Sequence, residues 1–86
     1  MLLTVRVSRE DIEAVLSGAG GDPVARAVSR TTGSHWKMSG APGVLLEQRP
    51  PYRSIVLPAQ VYGYWREYQA RREISPFEFV ADVYTP

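Results

Sequence analysis

The spacing of apolar residues divides this chain into elements before any other property is considered. Leu3, Val5 and Val7 alternate with Thr4 and Arg6, the period of two expected of a half-buried strand. Ser8 follows in the run S-R-E-D. Its hydroxyl is placed to accept from the amide of Asp11 while the Asp11 carboxylate reaches back, a capping box that predicts a helix from Arg9. Val7 and Ile12 flank that cap as a hydrophobic staple. Ile12, Val15 and Leu16, three and four apart, form the expected buried stripe. Glu10, Asp11 and Glu13 crowd an exposed first turn, where the helix dipole favours acids.

That helix is expected to end at Ser17 and Gly18, and a glycine-rich connector leads to Asp22-Pro23, an N-cap followed by proline at the first helical position. The second helix then runs to about Thr31. Val24, Ala27 and Val28 supply a narrow apolar face, Arg26 and Arg30 sit four apart, and Gly33 suits the left-handed position after a helix end. From residue 34 the period returns to two, with His35 and Lys37 on one side and Trp36 and Met38 on the other. A loop at 39–43, a second strand at 44–47, the turn Arg49-Pro50-Pro51-Tyr52 and a strand at 53–57 complete a meander.

Pro58 opens a third helix, from Ala59 to about Arg72, with Val61, Tyr64, Trp65 and Tyr68 on one face. Residues 75–84 admit two readings. Ser75 with Glu78 imitates a capping box, whereas Phe77, Phe79, Ala81 and Val83 alternate with Glu78 and Asp82; we read a strand, because the alternation persists. The elements together predict an α+β fold, a mostly antiparallel sheet of four to five strands with three helices packed on one face. No linker divides the chain, so residues 1–86 are expected to form one domain.

Composition narrows what such a domain can do. The chain has no Cys and one His, which leaves no thiol nucleophile, no thiolate zinc site and no His-rich metal cluster. Ten Lys or Arg against nine Asp or Glu give a net charge of +1, without the strong basic bias of a dedicated histone-like protein. Every basic residue except Lys37 is Arg, which reflects either GC-rich coding or a use for planar, bidentate contacts. No apolar run is long enough to span a bilayer, and the N-terminal residues lack the charged and apolar regions of a signal peptide, so a cytoplasmic protein is expected.

The candidate chemistry is sparse. The connector G-A-G-G-D-P lacks the strand before it and the Gly-Lys-Ser/Thr ending that a phosphate loop needs, and Asp22 would oppose an incoming phosphate. Capping accounts for the acidic first turn, and His35 points away from its neighbour Ser34, so neither supplies a catalytic pair. No catalytic residue, metal ligand or cofactor site is predicted. The third helix carries Tyr62, Arg66, Arg71 and Arg72 outside its core stripe, a mixture able to grip protein or stack on nucleic acid. His35, Lys37, Tyr52 and Arg53 make a second candidate surface.

Three stretches, V-S-R-E-D-I at 7–12, D-P-V-A-R-A-V at 22–28, and V-L-P-A-Q-V at 56–61 running through W-R-E-Y at 65–68 to S-P-F-E-F at 75–79, resemble small accessory proteins of bacteriophages and prophages. Members of that group often carry Cys before the proline of the second stretch. Here Asp22 stands there, so no thiol role carries over. The resemblance implies a non-enzymatic protein that binds and inhibits or modulates a host protein complex, as anti-CRISPR proteins do with CRISPR–Cas effectors, in the cytoplasm of the bacterial host. The alternative is a small nucleic-acid binder using the Arg and Tyr face of the third helix. No membrane partner is expected, and homodimerisation through an exposed sheet edge is a further option.

Overall fold

A computed structural model describes residues 1–19, 21–40, 43–70 and 75–86. The elements are β1 (Leu2–Val7), α1 (Arg9–Ala14), α2 (Pro23–Thr32), β2 (Trp36–Met38), β3 (Val44–Glu47), β4 (Ser54–Val56), α3 (Ala59–Gln69) and β5 (Phe77–Tyr84). The five strands form one antiparallel sheet in the order β1-β5-β4-β3-β2. Residues 77–84 are therefore strand, the reading that the alternation favoured. The last strand is inserted between the first and the meander, which puts β1 and β2 on opposite edges of the sheet.

One side of the sheet carries the core. Val5 and Val7 from β1, Phe79, Ala81 and Val83 from β5, Ile55 from β4, Leu45 from β3 and Trp36 from β2 point the same way and are buried. Val24, Ala25, Ala27 and Val28 of α2, Ile12 of α1 and Val61 and Tyr64 of α3 close over them. Sheet and helices thus form two layers around a single apolar cluster. Tyr64 packs against Phe77 with ring centroids 4.5 Å apart and the planes tilted by 42°, and Gln60 of α3 donates to the Glu78 carbonyl at 3.0 Å, which seats α3 against β5.

The helix starts follow the sequence closely. Ser8 caps α1 with both halves of the box formed, and Asp22 caps α2 through its Oδ1, which accepts from the amides of Val24 at 2.8 Å and Ala25 at 3.4 Å. Gly33 ends α2 in the left-handed conformation, with φ of 72°. Two expectations for α1 fail. Beyond Ala14 the helix widens through residues 15–19 to a turn at Gly18, φ 95°, and Leu16 is left 67% exposed instead of completing the buried stripe. Asp11, expected in an exposed first turn, is only 2% exposed, because α2 packs over it and supplies two guanidinium groups.

Candidate functional site

An open cleft of about 660 Å³ separates the first two turns of α2 from the edge strand β2. Its origin lies in how the two elements are joined. Ser29 Oγ, on the face of α2 toward β2, accepts from the Trp36 amide at 3.1 Å, and the Trp36 indole donates to Thr32 Oγ1 at 2.8 Å. These contacts pin the end of α2 to the start of β2, and the two diverge from there. Asp22, Ala25 and Arg26 line the cleft on the helix side, and His35 to Met38 line it on the strand side.

Strand register decides which backbone groups face that cleft. Gln48 donates its amide to the His35 carbonyl at 2.8 Å, and Ser39 donates to the Val44 carbonyl at 2.9 Å. Residues 35 and 39 therefore bond to β3. In an antiparallel ladder this direction alternates, so residues 36 and 38 turn their amides and carbonyls to the sheet edge. The Trp36 amide is taken by Ser29; the Trp36 carbonyl and both Met38 backbone groups lie along the open edge.

The charges around this region are set by two buried carboxylates. Burial pushes the Asp11 carboxyl up, but the Arg30 guanidinium at 2.7 Å, together with the Ser8 amide and hydroxyl, outweighs it and holds Asp11 below the usual carboxylate range. Arg26 Nε lies 3.7 Å from the other Asp11 oxygen, so two cations share one anion and the half-exposed Arg26 carries charge toward the cleft. Glu47 is buried at the inner end of β3. Its hydrogen bonds from the Arg53 side chain, opposed by burial and aided by the Arg53 amide and Ser34, depress it to about 2. Asp22 moves the other way, raised by burial despite its bonds from the α2 amides and from Trp65 Nε1 at 2.8 Å.

The second candidate is the side of the sheet opposite the helices. Register places Leu2, Asp82, Val56 and Val44 in one row across four strands, with Tyr84, Ser54, Leu46 and Lys37 in the next row. Leu2, Leu46, Val56, Val80 and Tyr84 are between 43% and 69% exposed on this face. Arg6 and Lys37 balance Glu78 and Asp82 around them, so the face is apolar at its centre and close to neutral overall. Apolar side chains clustered in this way mark interaction surfaces, whereas single ones scattered over a protein do not.

The predicted binding residues are dispersed over the molecule. His35 and Lys37 come together at the cleft. Arg53 does not join them, because its guanidinium turns inward to Glu47 at 2.7 Å and lies 5.5 Å over the Trp36 ring. Tyr52 is exposed in the turn before β4. Tyr62 rests its hydroxyl against Gly43 and its ring edge-on against Trp65, at 5.8 Å. Arg66 is exposed on α3, and Arg71 and Arg72 lie outside the described residues. Sequence reasoning did not single out Leu46, Val56, Val80 or Arg26; the alternation marked the first three as outward-facing, and the four-residue spacing to Arg30 marked the last.

Among the described residues no group of three or more His, Asp or Glu side chains converges as a metal site would require, and no helix is long and apolar enough to cross a membrane. No protein-family model, curated protein or solved structure matches the chain.

Proposed function

We propose that this is a non-enzymatic binding protein of phage type, which docks on a host protein complex such as a CRISPR–Cas effector and inhibits or modulates it in the bacterial cytoplasm. One observation carries the reading: five large apolar side chains share a sheet face that no helix among the described residues covers. Burying them against a partner removes apolar area from water, at about 25 cal/mol per Å². The near-neutral rim suits a protein surface better than a phosphate backbone, whose binding depends on many uncompensated cations. The resemblance of the three sequence stretches to phage accessory proteins points the same way.

The test compares wild-type protein with a variant carrying Leu46→Glu and Val80→Lys, which keeps net charge constant while making the face polar. Both are used as bait in host lysate, and the reconstituted activity of any captured complex is then assayed. The reading requires a stoichiometric complex that wild type captures and whose activity it alters, with both effects lost in the variant. Equal capture by both proteins, or no stoichiometric partner, would refute it. The alternative, nucleic-acid binding through Arg66, Arg71 and Arg72 with Tyr62, draws support from the exposure of Arg66. It requires DNA affinity that falls with salt and drops when the three arginines become alanine.

A further inference from the structure

We propose that the cleft between α2 and β2 is a second, independent docking site, which receives an extended acidic peptide segment as an added strand on the free edge of β2. It uses the backbone edge of β2 rather than the apolar centre of the bare sheet face, which Lys37 only borders, and does not depend on what that centre binds. The argument begins with the backbone. The Trp36 carbonyl and the Met38 amide and carbonyl point out of the sheet. An edge of this kind is a template for another chain, and a peptide backbone matches its alternating donors and acceptors. The Trp36 amide already has its bond from this edge, to Ser29 Oγ, which closes the narrow end of the cleft and sets where an added strand must stop.

The walls specify the side chains. A strand beside β2 projects alternate residues to opposite sides. Those on the Trp36 side enter the space beside Ala25 and Met38, which favours a small apolar residue. Those on the other side run beside Lys37 and His35, on the face away from the helices, while Arg26 stands on the helix side of the cleft. Arg26 competes with Arg30 for the single Asp11 carboxylate, and Lys37 forms no ion pair among the described residues. The carboxylate of Asp22 is committed to the α2 amides and to Trp65. The cleft therefore carries a cation on each side, Lys37 without an ion pair among the described residues on the outer face and Arg26 sharing Asp11 with Arg30 on the helix side, along an apolar floor, at a volume within the range of about 300–1,000 Å³ that accommodates small ligands and several side chains. A nucleic acid strand would satisfy the cations but not the edge amide and carbonyls.

Amide-resolved NMR titration of the full chain tests this with three blocked seven-residue peptides. One alternates glutamate and valine, one alternates lysine and valine, and the third repeats the first with its peptide nitrogens methylated. The glutamate peptide is expected to shift the amides of Ala25, Arg26, Lys37 and Met38, with at least tenfold higher affinity than the lysine peptide. Methylation, which removes the peptide's donors, is expected to weaken it at least tenfold, as is Lys37→Glu in the protein. Met38→Pro removes the outward amide and should do the same; should that variant fail to fold, the methylated peptide makes the same measurement from the other side. Equal affinity for both charges, shifts centred on Leu46, Val56 and Val80, no shift at millimolar peptide, or tighter binding of a single-stranded oligonucleotide to the cleft would each overturn the proposal.

Discussion

Asp22 joins two helices that are far apart in the chain, and replacing it should reveal how much of the fold depends on that junction. Its Oδ1 caps α2 through the amides of Val24 and Ala25, while Oδ2 accepts from Trp65 Nε1, 43 residues away. Loss of a side-chain cap costs about 1 kcal/mol. The indole bond to a charged acceptor is worth about 1.5–3 kcal/mol when fully buried. Trp65 is only partly buried, so water replaces some of that bond and about 1 kcal/mol is the reasonable share. Asp22→Ala should therefore lose about 2 kcal/mol, against a total of about 4–13 kcal/mol for a domain of this length. That corresponds to a fall in Tm of about 8–16 °C. Asp22→Asn should lose about half as much, since the amide can accept for the cap or for Trp65 but offers a donor where the other acceptor was. Urea and thermal unfolding followed by circular dichroism measure each variant. A double-mutant cycle with Trp65→Phe should return a coupling of about 1 kcal/mol. The sign with pH is also determined. A carboxyl raised by burial above its ordinary 3.8 contributes most below that value and less as pH rises. The deficit of the Asn variant should thus be larger at pH 3.5 than at pH 7. Equal losses for the Ala and Asn variants with no coupling to Trp65 would refute the junction.

The depressed carboxylates act in the opposite sense. Glu47, held near 2, and Asp11, also lowered, add stability that is present above about 4.5 and lost as the pH falls toward 2, so Glu47→Gln should flatten the acid limb of the stability profile. The Tyr64 hydroxyl is buried with no hydrogen-bond partner among the described residues, so Tyr64→Phe should leave stability unchanged or raise it by up to about 1 kcal/mol; a loss larger than that in urea unfolding would reveal a partner. Gly43 has φ of 77° and the Tyr62 ring covers the space a methyl group would fill. Gly43→Ala should cost more than about 2 kcal/mol, combining left-handed strain of about 1–2 kcal/mol with the overlap. Adding Tyr62→Ala should recover only the steric part, and near-wild-type stability of the single variant would contradict the contact.

These contacts change how the candidate surfaces are weighed. Arg53 and Tyr62 looked available from their residue types, yet one is committed to Glu47 and Trp36 and the other to Gly43 and Trp65. Replacing either would disturb the fold together with any binding. Lys37, Leu46 and Val80 are exposed strand positions, and their substitution tests recognition more cleanly.

The features legible in the chain are those that local chemistry controls. Ser8 and Asp11 start α1, Asp22 and Pro23 start α2, Gly33 ends it, and the period of two through 77–83 makes a strand, because each of these depends on residues within a few positions of one another. Composition adds the absence of Cys and the near balance of charge. The burial of Asp11 follows from packing between distant segments, since the guanidinium that compensates it comes from Arg30 across a helix–helix contact. Only the strand order made β2 a free edge and seated β5 between β1 and β4. The exposed row through Leu2, Val56 and Leu46 belongs to the same class. Alternation states which side chains share a face, but whether anything covers that face depends on where helices from distant parts of the chain pack, and here the described helices pack on the other side.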